Sequence, residues 1–256
     1  MIKLRSIALI LSAFALTACE KNGVQELTGS VPVAGIKFFN FGVNAPSVNF
    51  YANDAKVTAV LSLLGSELNT GTAYGGVGSG GYYSSLNSGT YAFKARLSDT
   101  ATSATVVSNV SQTLVDGKNY SYYTSGFYDA TAKTSDAFIV EDNLSGAIDF
   151  KVAYVRFVNA ISNSQPMILY AKDTTSKQEV AVGTAIPYKS AGAFVSLPAG
   201  IYDLNTRLAG STTNVIQRLA VQFVAGRVYT IGALGDITVT LATAPTRARL
   251  DNTANR

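Results

Sequence analysis

Val155-Arg156-Phe157-Val158-Asn159 repeats Ile36-Lys37-Phe38-Phe39-Asn40. Further pairs of segments follow in the same order. Phe50-Tyr51-Ala52-Asn53-Asp54 corresponds to Leu169-Tyr170-Ala171-Lys172-Asp173. Tyr83-Ser-Ser-Leu86-Asn-Ser-Gly89-Thr-Tyr91 corresponds to Phe194-Val-Ser-Leu197-Pro-Ala-Gly200-Ile-Tyr202, and Arg96 then aligns with Arg207. Val115-Asp-Gly117-Lys-Asn-Tyr120 corresponds to Val224-Ala-Gly226-Arg-Val-Tyr229. Four blocks in one order mark a tandem duplication, with about ten extra residues in the first copy before its last block.

Each copy reads as β. Val155-Arg-Phe-Val alternates apolar and polar residues, and so do Ile201 to Leu208 and Arg227 to Leu234. Short strands with turn signals between them predict an all-β chain of two sandwiches, about seven or eight strands in each. A copy of roughly 95 to 110 residues can bury a core without disulfides. Thr58 to Leu68 is the best helical candidate, and Gly65 interrupts it. The expected organisation is residues 34–143 for the first sandwich, 144–152 for a linker and 153–243 for the second. Residues 244–256 are expected to be a solvated tail carrying Arg247, Arg249 and Arg256. The short linker predicts only modest movement between the sandwiches.

Turn chemistry supports this. Leu86-Asn-Ser-Gly89-Thr-Tyr91 and Leu197-Pro198-Ala-Gly200-Ile-Tyr202 read as turns between strands. Pro198 pre-sets φ, Gly200 is expected at positive φ, and Tyr202 restarts the strand. Gly117-x-x-Tyr120 and Gly226-x-x-Tyr229 resemble tyrosine corners, in which a Tyr at a strand start bonds its hydroxyl to upstream backbone. These tyrosines read as structural.

Lys3 and Arg5 precede a mostly apolar stretch from Ile7 to Ala18. That stretch is too short to span a bilayer, which needs about 20 residues, and it fits the core of a signal peptide over residues 1–18. Leu16-Thr17-Ala18-Cys19 resembles the lipobox of bacterial lipoproteins, and the chain has a single Cys, Cys19. The resemblance implies a diacylglyceryl thioether on Cys19, cleavage before it and membrane attachment through the lipid. Glu20 is not the Asp that marks inner-membrane retention, so the expected destination is the Gram-negative outer membrane, on either face. Residues 19–33 then form a flexible tether containing Gly23, Gly29 and Pro32. An outer-membrane barrel fits less well, because a lipobox and polar turns suit a tethered domain.

Composition removes several chemistries. The chain has 256 residues, a formal net charge of +4, one Cys, and no His or Trp. No His means no Ser-His-Asp triad and no imidazole ligand. A single Cys leaves no internal disulfide, thiolate zinc cage or iron–sulfur cluster. No basic cluster interleaved with aromatics appears, so nucleic-acid binding is not expected. No cofactor is expected either. Asp129, Asp136, Glu141, Asp142 and Asp149 offer oxygen ligands, but no calcium-loop spacing organises them, and no metal site is expected.

Val155 to Asn159, Leu197 to Tyr202 and Gly226 to Thr230 resemble the bacterial domain of unknown function 4397 family. The first copy departs from it at Leu86-Asn-Ser-Gly89, which lacks the Pro, and in its longer middle insertion. The resemblance implies Ig-like or transthyretin-like β-sandwiches, often in tandem on anchored or secreted proteins. It supplies no activity and no catalytic residues.

Gly71 to Tyr83 is the most distinctive segment, with six glycines in its first eleven residues. No Gly-Lys-Ser/Thr closes it as a phosphate loop, and no strand–turn–helix frames it. It reads either as a flexible insertion or as a binding loop displaying Tyr74, Tyr82 and Tyr83. Asp99-Thr-Ala101 and Asp173-Thr-Thr175 resemble short O-glycosylation sites. The expected function is a non-enzymatic, lipid-anchored binding, adhesion or display module whose partner is a glycan or protein. A structural subunit pairing at sheet edges is the alternative. A carboxylate-dependent polysaccharide hydrolase ranks behind both.

Overall fold

The computed structural model describes residues 33–58, 70–98, 104–143 and 146–255. The first half contains β1 (Ala34–Asn40), β2 (Val48–Ala52), β3 (Ala55–Lys56), β4 (Gly76–Val77), β5 (Ser84–Leu86), β6 (Gly89–Leu97), β7 (Val106–Leu114), β8 (Asn119–Asp129) and β9 (Thr134–Glu141). They form one sheet in the order β4-β1-β8-β9, with β5 also on β1, and a second in the order β3-β2-β6-β7. The second half contains β10 (Val152–Asn159), β11 (Met167–Asp173), β12 (Glu179–Ile186), β13 (Ser190–Ala191), β14 (Val195–Pro198), β15 (Gly200–Leu208), β16 (Asn214–Phe223), β17 (Val228–Leu234) and β18 (Arg249–Ala254). Its sheets are β13-β10-β17-β18, with β14 also on β10, and β12-β11-β15-β16. The strand order is therefore the same in both halves. Each half exceeds the expected strand number because two short segments share one edge of its first strand.

In each half the first strand runs parallel to the eighth. Ile36 lies opposite Tyr120, and Val155 opposite Tyr229. Both tyrosine corners form at these register points. The backbone N–H of Val115 donates to the Tyr120 hydroxyl at 3.3 Å, and that of Val224 to the Tyr229 hydroxyl at 3.2 Å. Gly117 and Gly226 stand at φ 76° and 75°, a conformation that an L side chain resists. A second pair of hooks closes the other turn, where Tyr91 donates to Asn87 O at 3.1 Å and Tyr202 to Pro198 O at 2.8 Å.

Gly200 corrects one expectation. Positive φ occurs at Gly89 but not at Gly200. A Cβ at Gly200 would stand 3.1 Å from Asp173 Oδ2 and 3.3 Å from the Tyr202 ring, so close approach is what asks for glycine there.

The C-terminal segment corrects another. Arg249–Ala254 is not a tail but β18, paired along β17 from Tyr229↔Ala254 to Leu234↔Arg249. Leu250 is buried in the second core.

Among the described residues, three cores lie between four sheets. Ile36, Phe38, Phe50, Phe93 and Tyr122 fill the first sandwich. Val155, Phe157, Leu169, Leu204 and Ile231 belong to the core of the second. A third core joins Phe39, Phe41, Tyr123 and Phe138 to Val158, Ala160 and Leu234. The sheets containing β1 and β10 are thus packed on each other as well as on their own partners. All seven residues of β1 and of β17 are buried. Along β1, Ile36 and Phe38 enter the first sandwich while Phe39 enters the junction. A strand covered on both faces loses clean polar alternation, which is why Phe38-Phe39 are adjacent aromatics. Burying one such side chain contributes about 1.5–3 kcal/mol.

A candidate binding cleft at the junction

The outward positions of β1 and β10 that the repeat aligns are Lys37 and Arg156. Both are enclosed by the opposite half, at 2% and 1% exposure. Each cation lies over an aromatic ring of its own half: Lys37 is 4.3 Å from the centroid of Tyr83, and Arg156 is 4.8 Å from that of Phe194. Each also donates to the last strand of the other half. Lys37 Nζ donates to Ala254 O, and Arg156 Nη1 donates to Glu141 O at 2.9 Å. Ala254 and Glu141 hold matching places, opposite Tyr229 and Tyr120. The junction therefore has an approximate two-fold symmetry within one chain.

Tyr74 and Tyr188 extend that symmetry. The backbone N–H of Gly75 donates to Asn40 O at 2.7 Å, and that of Lys189 to Asn159 O at 3.0 Å. Tyr74 then packs under Arg249 of β18 at 4.8 Å, while Tyr188 donates to Asp136 of β9 at 3.0 Å.

The symmetry fails next to the cations. Asp142 follows β9, and its N–H donates to Asn119 O at 2.7 Å. Asn255 follows β18, and its N–H donates to Val228 O at 2.7 Å. Asp142 is a carboxylate with a full set of partners. Oδ1 accepts from Arg156 Nη2, and Oδ2 accepts from the hydroxyls of Tyr83 and Ser121, the latter at 2.7 Å. Arg156 Nε reaches Thr230 Oγ1 at 3.0 Å. Asn255 carries no charge, and its Nδ2 is buried without a hydrogen-bond partner among the described residues. Lys37 makes no ion pair among the described residues.

Burial is the largest influence on Lys37 and lowers its pKa to about 8; attraction from Asp142 opposes this and repulsion from Arg156 adds to it. The Tyr83 hydroxyl is pushed well above the ordinary tyrosine range, first by burial and then by the Asp142 charge. It stays protonated and donates.

Two cavities flank Tyr83. One, of about 300 Å³, lies toward Lys118, Asp142 and Phe194. The other, of about 460 Å³, lies over Lys37, Gly80-Gly81, Tyr82 and Asn255. Both fall near the size range of small-ligand clefts. A third cavity, of about 640 Å³, lies apart, beside Val180, Val195 and Leu197.

The glycine-rich segment is ordered against this junction. β4 pairs with Phe39 and Asn40, β5 pairs with Ala34 to Ile36, and a short 3-10 turn at Gly78–Gly81 connects them. The alternative of a flexible insertion is thereby corrected for residues 70–83. The three tyrosines separate in role. Tyr74 and Tyr83 pack into the junction, whereas Tyr82 is 79% exposed at the rim.

The acidic residues do not converge. Asp129 caps a turn through Thr131 N and Ala132 N, Asp136 pairs with Lys189 at 3.1 Å, and Glu141 pairs with Lys118 at 3.0 Å. Asp149 caps Lys151 N. No group of three potential metal ligands occurs among the described residues. Asp173 caps Thr175 and Ser176, and the Thr174 hydroxyl donates to Ile201 O at 2.9 Å. Cys19 with Leu16, Thr17 and Ala18, the helical candidate after Thr58, and Asp99-Thr-Ala101 lie outside the described residues. Among the described residues, no helix is long and apolar enough to cross a membrane.

Sequence reasoning missed Lys37, Arg156 and Asn255. The signal available was the basic residue at the same place in both copies of the first strand.

No curated protein matches the chain. Two solved structures show distant likeness. The Bacillus anthracis TIE protein is 14% identical, with 80% of this chain and 34% of that chain covered and a TM-score of 0.25. This chain thus spans about a third of the length of that one. A candidate cell adhesion protein from Bacteroides ovatus is 10% identical, with 89% and 97% covered and a TM-score of 0.23. At those scores neither likeness bears on function. Residues 153–255, the whole second half including β18, match the family described as a domain of unknown function, DUF4397.

Proposed function

We propose that the chain is a non-enzymatic, lipid-anchored cell-envelope protein whose paired sandwiches present the junction cleft to a glycan or protein partner. The observation that carries the binding reading is the cleft itself. Exposed Tyr82 stands at the rim of a cavity whose walls come from both halves. Tyrosine offers broad contact area at low entropy cost, and a site built on packed sheets is held rigidly. The first half is read as a second, divergent copy of the matched family, from its identical strand order. The anchor reading rests on Leu16-Thr17-Ala18-Cys19, and the outer membrane is its proposed destination.

Three measurements test this reading. Labelled palmitate should enter the wild-type protein and not Cys19→Ser. A screen of envelope and host glycans and proteins should return a ligand whose binding falls in Tyr82→Ala; a ligand indifferent to Tyr82 would move the site elsewhere. Protease digestion of intact cells, with lysed cells as control, distinguishes the surface face from the periplasmic one.

Assembly through a sheet edge is a second reading. β16 is a ten-residue edge strand with Leu219 60% exposed, and long apolar edges template pairing. A purified chain that stays monomeric at high concentration removes it.

A further inference from the structure

We infer that the cavity over Lys37 binds the carboxylate of an acidic saccharide, with Tyr82 as the platform for the sugar ring. The inference rests on the reading of the junction cleft as a ligand site and gives that ligand a chemical class.

The chain shows what a completed version of this site contains. At the equivalent position of the other half, the buried cation Arg156 meets the carboxylate of Asp142, the residue just after the last strand of the first half. At this end the buried cation is Lys37, and the residue just after the last strand is Asn255. The place that holds a carboxylate in one half holds a neutral amide in the other. The Asp142 charge attracts Lys37 as well, but among the described residues it forms an ion pair with Arg156 alone.

What remains at Lys37 is a set of donors. An ammonium carries three protons, and one of them goes to Ala254 O. Asn255 Nδ2 is buried with no acceptor among the described residues. A buried donor left unpaired is costly, and here the residues that carry the two donors, Lys37 and Asn255, line one cavity of about 460 Å³. An anion entering it would satisfy both. The group that fits at the equivalent position is a planar carboxylate.

The rim selects the remainder of the ligand. Tyr82 is 79% exposed beside Gly80 and Gly81, whose lack of side chains leaves room above the cavity. An exposed tyrosine ring beside a cavity that also carries Lys37 and Asn255 suits a sugar, with one apolar face and a polar edge.

The test uses the purified full chain and three probes, namely glucuronate, glucose and N-acetylglycine, followed by amide chemical shifts and calorimetry. Glucuronate should bind, with glucose and N-acetylglycine each weaker by about tenfold or more. Asn255→Asp should abolish glucuronate binding in a fully folded protein, because it installs the carboxylate internally as Asp142 does at Arg156. Lys37→Met should abolish it as well. Tyr82→Ala should weaken glucuronate and leave N-acetylglycine unchanged. Glucuronate binding that survives Asn255→Asp would overturn the site, and so would no glucuronate binding to the wild type. Equal binding of glucuronate and N-acetylglycine would overturn the saccharide class. If an uncharged glycan binds and depends on Tyr82 while glucuronate does not bind, the carboxylate inference fails and the junction cleft stands.

Discussion

The two ends of the junction use one scaffold and reach different outcomes. At the Arg156 end, a carboxylate, a hydroxyl and a carbonyl close around the guanidinium, and two further hydroxyls hold the carboxylate. At the Lys37 end, the same strands deliver a carbonyl and an unpaired amide. Duplication supplied the geometry twice. The residue after the last strand, Asp142 or Asn255, decides whether the buried cation is neutralised within the chain. A closed end holds the halves together, and an open end is left available to something else.

Removing the closed end should have the largest effect. Asp142→Ala strands Arg156 in a buried place, and breaking one side of a buried ion pair costs about 3–5 kcal/mol. Urea denaturation should show that loss, whereas Asn255→Ala, the equivalent change at the open end, should be near neutral. A loss of similar size at both ends would mean that the two are not opposites.

Next comes the apolar middle of the junction. A Cβ on Gly232 would stand 2.8 Å from Phe41 Cε2. Gly232→Ala should therefore cost about 1–3 kcal/mol by overpacking. A wild-type melting temperature would show that the halves separate with no penalty. The two tyrosine corners should behave alike, with Tyr120→Phe and Tyr229→Phe each losing about 1 kcal/mol, the worth of one hydrogen bond.

A pH dependence belongs to the open end. Burial lowers the Lys37 pKa from 10.5 to about 8. Between those values the unfolded chain binds more protons than the folded one, so the Lys37 contribution makes stability rise with pH across that window. Below about pH 8 the residue is charged in both states and the contribution is constant. Lys37→Met should remove the rise. Asn255→Asp should reduce it, because a carboxylate beside the ammonium returns its pKa toward the ordinary value.

Much of the fold was legible in the sequence. The duplicated strands, the paired Gly-x-x-Tyr corners and the Leu-x-x-Gly-x-Tyr turns each have a local cause, in turn chemistry or in alternation. The junction had no such local cause. Alternation along Val155-Arg156-Phe157-Val158 says that Arg156 leaves its own core, but not whether that outer face meets water or another sheet. Asp142 sat at the edge of an expected linker, and Asn255 in an expected tail. Both were brought to the site by pairing with residues far along the chain. The glycine-rich segment is distinctive in composition, yet its tyrosines divide between packing and exposure by contacts with distant residues, Arg249 for Tyr74 and Asp142 for Tyr83, which composition does not encode.

The parallel pairing of β1 with β8 also sets how the protein carries force. From Gly35↔Asn119 to Asn40↔Thr124 the two strands run in the same direction. A pull on the chain at Val33 is directed along β1, so its hydrogen bonds are loaded together in shear rather than opened one after another. With β1 covered on both faces, sliding it out would also expose Phe38 and Phe39 to water at once. A module built this way would yield abruptly, at high load, rather than unravel from its first strand.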